Sequence, residues 1–201
     1  MPDPAQVSVS ALDAATGHSG HGGPGAGVTA SEIPGAGLAT LTARKGQRGR
    51  LADAVRSAFG CDLPDRPKQV LGRGIAFVWS APDQWLAHTP AMPAGGMEPY
   101  LRERLTTLAS IVDQSHGRTL LRIGGPRSRD TLAKGVPIDL HPRAFQLGDA
   151  AVTVAAHIPV HLWQIDASPT FVFAVPRSLA QSFWHWLQAS AAEYGLDLAE
   201  K

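Results

Sequence analysis

A single cysteine, Cys61, stands among 201 residues. The chain can therefore close no disulfide within itself and build no cysteine-based metal site. Its neighbours Phe59-Gly60 and Asp62-Leu63-Pro64 include no histidine, and the adjacent carboxylate opposes thiolate formation. Cys61 therefore reads as structural. Charge is also scarce: Asp, Glu, Lys and Arg make up 17% of the chain and the net charge is +1. No basic excess is available to neutralise a phosphate backbone, so nucleic-acid binding has no support. The one basic group, Arg44, Lys45, Arg48 and Arg50, reads as a solvated turn and the exposed start of a helix. No stretch approaches the ~20 apolar residues of a membrane-spanning helix. Met1 to Gln6 has neither the basic nor the apolar region of a secretory signal, so a cytoplasmic location is expected.

What is present is enough apolar residue, 44%, for a sizeable core. It is unevenly spread. Residues 1–36 are rich in Gly, Ala, Ser and Pro and are expected to form a flexible tail, with the folded domain running from 37 to 201. His18 and His21 fall in that tail, where a floppy backbone offers no metal geometry. From Leu38 to Ala43 the pattern alternates as a strand. After a turn at Lys45-Gly46, Leu51, Val55 and Phe59 recur at spacing four on one helix face that Gly60 ends. Gly74 to Trp79 reads as a strand, and Pro82 suits the first turn of a short helix. A second helix is expected over 98–109. Ile111 to Ile123 reads as a hairpin turning at His116-Gly117.

Gly124-Gly125-Pro126 then opens a short helix that Gly135 stops. Val152–His157, Pro159–Ile165 and Thr170–Val175 are three successive strands, and Pro176 opens a last helix over 177–194. That helix carries Leu179, Phe183, Trp186, Leu187, Ala191 and Tyr194 on one stripe, with Trp184 near its edge. Three times a strand thus runs into a proline that starts a helix, at Pro82, Pro126 and Pro176. The pattern implies an α+β fold of antiparallel or mixed sheets with helices on one face, built from ferredoxin-like split β-α-β pieces.

Candidate chemistry is thin. Neither Gly72-Arg73-Gly74 nor Gly124-Gly125-Pro126 completes a nucleotide fingerprint, and Pro126 has no N–H for a phosphate. His157 and His161 are four apart on an extended segment, which puts both rings on one side of a strand, but no third ligand follows. Ser115, His116 and Asp113 are sequence neighbours, and adjacency in a turn does not make a hydrolytic triad. Asp113 and Asp139 read as turn residues. Catalytic, cofactor-binding and metal residues are thus expected to be absent. Trp85, Arg143, Trp163 and Trp184 are the expected partner anchors, because Trp and Arg dominate interface hot spots.

Asp113-Gln114-Ser115-His116-Gly117-Arg118, Leu121 to Pro126 and Leu132 to Arg143 resemble the central motif of the sarcosine oxidase gamma subunit family. Trp79-Ser80-Ala81-Pro82-Asp83-Gln84-Trp85-Leu86 is similar to another of its elements, with Ala81 and Gln84 where that family has Gly and Glu. Pro176 to Ala180, Trp184 to Leu187 and Glu193-Tyr194-Gly195 resemble its final helix. The resemblance implies a fold related to the aminomethyltransferase (glycine-cleavage T-protein) family. It also implies a non-catalytic gamma subunit that docks mainly on an alpha subunit, beside beta and delta subunits. The implied complex demethylates sarcosine oxidatively to glycine, using tetrahydrofolate and oxygen and releasing peroxide. FAD, FMN, NAD, zinc and tetrahydrofolate are implied in the partner subunits and none in this chain. A competing expectation is a free-standing folate-binding or one-carbon-transfer protein, for which Asp113 would hold the pterin.

Overall fold

The computed structural model describes residues 25–198. In chain order they form β1 (Val28–Ile33), β2 (Gly37–Ala43), α1 (Arg48–Phe59), β3 (Gln69–Gly72), β4 (Ile75–Ala81), β5 (Gln84–Thr89), α2 (Met97–Leu105) and β6 (Ala109–Asp113). There follow β7 (Arg118–Gly124), α3 (Ser128–Leu132), β8 (Ala150–Ala155), β9 (Ile158–Asp166), β10 (Thr170–Pro176), α4 (Ala180–Ala191) and β11 (Leu196–Leu198). Short 3₁₀ turns precede β6 and α4, at Thr106–Leu108 and Arg177–Leu179.

The strands make two sheets, ordered β3-β4-β5-β2-β6 and β11-β1-β7-β10-β9-β8. Within the first, β2, α1, β4, β5, α2 and β6 follow the ferredoxin-like path, with β3 added at the edge. The second repeats that path through β7, α3, β9, β10 and α4. Its fourth position is filled by β1 from the start of the chain, antiparallel to β7, and β11 adds to β1 in parallel.

Alternation within the strands assigns three cores. On the outer face of the first sheet, Ala39, Leu41, Phe77, Trp85 and Ala87 pack against Leu51, Val55 and Phe59 of α1 and Leu101 and Leu105 of α2. On the outer face of the second, Leu121, Ile123, Val160, Leu162, Phe171, Phe173 and Val175 pack against Phe183, Trp184 and Leu187 of α4. Each such large side chain contributes about 1.5–3 kcal/mol through burial. The inner faces meet each other through Leu38, Val78, Leu86, Leu120, Trp163, Val172 and Ala174. The result is four layers, helix-sheet-sheet-helix. With both faces covered, Phe171-Val172-Phe173-Ala174-Val175 is buried without a break.

Several sequence expectations need correction. β1 lies inside the stretch expected as a tail, because Val28 and Ala30 alternate inward and are buried. His18 and His21 lie outside the described residues. Pro82 opens no helix: β4 and β5 are antiparallel neighbours joined at Pro82-Asp83, where Asp83 takes φ 61°. Residues 111–123 are not a hairpin. β6 belongs to the first sheet and β7 to the second, so His116-Gly117 carries the chain between layers. His157 is not on β9 with His161. It sits with Ala156 in the β8–β9 turn, both at positive φ (69° and 47°). On α4 Trp184 joins Phe183, Leu187 and Ala191 on the buried face, while Leu179 falls in the preceding 3₁₀ turn and is 36% exposed.

The candidate functional site in the seam between the sheets

Polar side chains gather where the two inner faces meet, because β4, β5 and β9 each turn alternate residues into the seam. His88 of β5 lies against Trp163 of β9, ring centroids 5.0 Å apart. Gln69 Nε2 donates to His88 Nε2 at 3.1 Å, which makes that ring nitrogen the acceptor. Burial lowers the His88 pKa from 6.5 to about 4. Ser80 Oγ and His161 Nε2 share a hydrogen bond of 2.9 Å across the seam. The His161 pKa is also lowered to about 4, first by burial and then by the charge of Arg118. Both rings are thus neutral spacers at pH 7. His161 Nδ1 and Trp163 Nε1 are buried without a hydrogen-bond partner among the described residues.

At one end of the seam a small polar cleft opens, lined by Glu32, Ser115, Arg118, Thr119 and Arg177 among others. Its groups are engaged with the chain itself. Thr119 Oγ1 donates to Glu32 Oε1 at 2.6 Å, and Arg118 Nη1 reaches the Ala174 carbonyl at 3.3 Å. Leu38 N–H donates to Ser115 Oγ at 3.0 Å, and Ser115 N–H donates to Asp113 Oδ1 at 2.9 Å. The Ser115 hydroxyl also lies 3.2 Å from Asp113 Oδ2. It therefore pins β2 to the connection leading into β7. His116 is exposed, and its ring appears in none of the Ser115 hydrogen bonds. Asp113 holds the turn, as its spacing suggested, and Asp139 does the same by accepting from His141 N–H at 2.8 Å. Among the described residues, no three His, Cys, Asp or Glu side chains gather as a metal site. No helix there is long and apolar enough to cross a membrane.

Three of the four residues expected as partner anchors lie inside the chain. Trp85 is fully buried against α1 and donates Nε1–H to the Pro64 carbonyl at 2.7 Å. Trp163 fills the seam and Trp184 the core beneath α4. Large rings on double-covered strands, as Trp85 and Trp163, or on the sheet-facing side of a helix, as Trp184, go to the interior first, so hot-spot statistics misplaced them. Arg143 is exposed, in the turn after Asp139.

The glycine loops have packing roles. Gly125 takes φ +101°, and a Cβ there would stand 2.6 Å from the Gly27 carbonyl oxygen, so it lets α3 approach β1. Gly135 lies under the ring of Trp186, which a Cβ would meet at 2.6 Å. The seam itself was not foreseen. Its only sequence trace is the set of strands apolar on both faces.

The sarcosine oxidase, gamma subunit family matches residues 46–193. Sarcosine oxidase subunit gamma of Arthrobacter sp is 33% identical over 152 residues, which is 70% of each protein. That of Corynebacterium sp. (strain P-1) is also 33% identical over 152 residues, again 70% of each. Among solved structures, a chain of the heterotetrameric sarcosine oxidase from Corynebacterium sp. U-96, in complex with pyrrole 2-carboxylate, is similar at 30% identity and TM-score 0.77. The match covers 94% of this chain and 95% of that one. The glycine cleavage system aminomethyltransferase T from Bartonella henselae shares the fold at TM-score 0.66 and 14% identity, over 87% of this chain and 48% of that one.

Proposed function

The chain belongs to the sarcosine oxidase gamma subunit family, and from that membership we propose that it is the accessory gamma subunit of a heterotetrameric sarcosine oxidase. In this reading the complex demethylates sarcosine to glycine, passes the one-carbon unit to tetrahydrofolate as 5,10-methylenetetrahydrofolate, and reduces oxygen to hydrogen peroxide. FAD, FMN, NAD, zinc and the folate belong to alpha, beta and delta subunits, and this chain docks mainly on alpha. Its own contribution is mechanical.

The observation that carries the reading is the near end-to-end match to a chain of such a complex, 94% of one and 95% of the other. The seam supports it. Ser80 and His161 bond across the two sheets, and His88, Ser115 and Thr119 are spent on bonds within a sheet or to the connection between them, which suits a rigid body presented to a partner. Arg143, exposed on its turn, remains our candidate contact from the sequence.

The test is co-expression with the alpha, beta and delta chains. We expect co-purification in one complex that releases peroxide from sarcosine, and a colourless free chain inert toward sarcosine. Failure to co-purify, or flavin bound to the isolated chain, would refute the reading. Calorimetric heat from tetrahydrofolate on the isolated chain would instead favour the folate-binding alternative at Asp113.

A further inference from the structure

The polar cleft at the end of the seam carries two arginines, Arg118 and Arg177, and takes its walls from both sheets, Leu38 from β2 and Leu120 from β7. Arg118 is half-buried. Buried charges are normally paired, because leaving water costs them hydration. On this chain the habit is reversed. Arg48, Arg56, Arg102 and Arg127 are exposed, yet each holds a carboxylate. Arg118 forms no ion pair with any described residue, and burial lowers its pKa with no acid beside it to offset the effect. Glu32 and Asp113 stand nearby but accept from other donors, Thr119 Oγ1–H and Ser115 N–H. Arg118 Nη1 reaches the Ala174 carbonyl at 3.3 Å, and the other guanidinium N–H groups are unspent among the described residues. Its charge reaches into the seam, where it adds to burial in lowering the His161 pKa. Arg129 is the other arginine whose pKa burial lowers. It lies over the Phe171 ring at 5.2 Å, bonds to Gln164 Oε1 at 3.0 Å and does not line the cleft.

We propose that this cleft is a carboxylate-binding site, with the guanidinium edge of Arg118 as its anchor and Arg177 in its wall. The fork of a guanidinium matches two oxygens lying in one plane. The cleft has a volume of about 20 Å³. That is above the roughly 10–15 Å³ that one water-sized group needs, and it leaves no room for a ring. It therefore takes the head of a carboxylate and leaves the rest of the ligand outside. A phosphate, with more oxygens around a tetrahedral centre, is too bulky. Two sources supply such a head: a free small acid, or an acidic residue of another subunit. The site does not depend on the subunit reading above; only the second source does.

The probe is sodium acetate, titrated at pH 7 into the full-length free chain and followed by NMR, with sodium chloride at equal ionic strength as the control. The Arg118 Nε–H resonance, identified by its loss in Arg118→Gln, should shift to saturation with a half-point below about 0.1 M. Chloride should reproduce less than about a tenth of that shift. The Thr119 and Leu120 amides should follow the same curve in wild type and stay flat in Arg118→Gln. The wild-type titration decides even if the variant misfolds. In the co-expressed complex Arg118→Gln then identifies the source. A loss of recovered complex of about tenfold or more assigns the carboxylate to a partner subunit, and full recovery assigns it to a free acid. Absence of saturation in the wild-type chain, or an equal response to chloride, overturns the inference and leaves the subunit reading intact. An unchanged amide response in folded Arg118→Gln does the same. A wild-type chain that joins no partner overturns the subunit reading, and the acetate titration still decides the site.

Discussion

Acid should unlock the seam between the sheets. His88 and His161 have folded pKa values of about 4 against 6.5 when free. As pH falls, the unfolded chain therefore takes up each proton first. The stability that the neutral rings contribute is complete above pH 6.5, falls between 6.5 and about 4, and loses nothing further below that. At 1.36 kcal/mol per unit, moving from pH 7 to pH 5 costs roughly 2 kcal/mol per ring and ~4 kcal/mol for the pair. That is a large share of the 5–15 kcal/mol typical of a domain. The cause is physical: an imidazolium buried against Trp163, or placed near Arg118, would lose hydration with no carboxylate beside it to offset the loss. The assay is urea unfolding of the full chain at pH 7 and pH 5, for wild type and for the His88→Gln, His161→Gln double variant. Carboxylates titrate in both proteins and cancel in the difference. Wild type should lose about 4 kcal/mol more than the variant. Equal losses would show that the rings are protonated, or hydrated, in the folded chain, and would refute the reasoning.

Gly135→Ala pushes a methyl into the ring of Trp186 and should cost about 1–3 kcal/mol in urea unfolding. Gly125→Ala meets backbone at Gly27 from a positive φ and should cost more, about 2–4 kcal/mol, with selective loss of protection at β1 amides. Trp85→Phe leaves the Pro64 carbonyl without its donor and should lower stability by about 1–3 kcal/mol, while leaving recovery of the complex unchanged. Cys61 is buried, and its pKa is raised by that burial and by Asp62. It should react with a thiol reagent at pH 7 at least about tenfold faster in urea than in the native chain.

How far the sequence was legible depended on whether the signal was local. α1 was readable because Leu51, Val55 and Phe59 state the period and Gly60, at φ 70°, states the stop. The β8-β9-β10 meander was readable for similar reasons. Pro82 misled, because a proline before Asp suits a tight turn as well as a helix start, and only the pairing of Trp79 with Trp85 across it decides. β1 was missed because it follows directly on a Gly-, Ser- and Pro-rich run, and its place is fixed by β7, about ninety positions later. At the seam, composition gave each buried histidine and tryptophan but not its partner. Ser80 and His161 are 81 residues apart in sequence. Anchors guessed from residue type failed at Trp85, Trp163 and Trp184 because frequency tables for interfaces and for interiors favour the same rings.

The crossing of β1 into the far sheet also sets an order of events during synthesis. Val28–Ile33 leaves the ribosome early, yet its hydrogen-bond partners Leu120–Gly124 are translated much later. At roughly 5–20 residues per second that delay lasts several seconds. Meanwhile β2 to β6 have emerged with α1 and α2, which cover their outer face, so the inserted unit can condense first while its inner face and the opening strand wait for the second sheet. A nascent chain stalled just after β6 should then resist protease over 37–113 and be cut within 28–33.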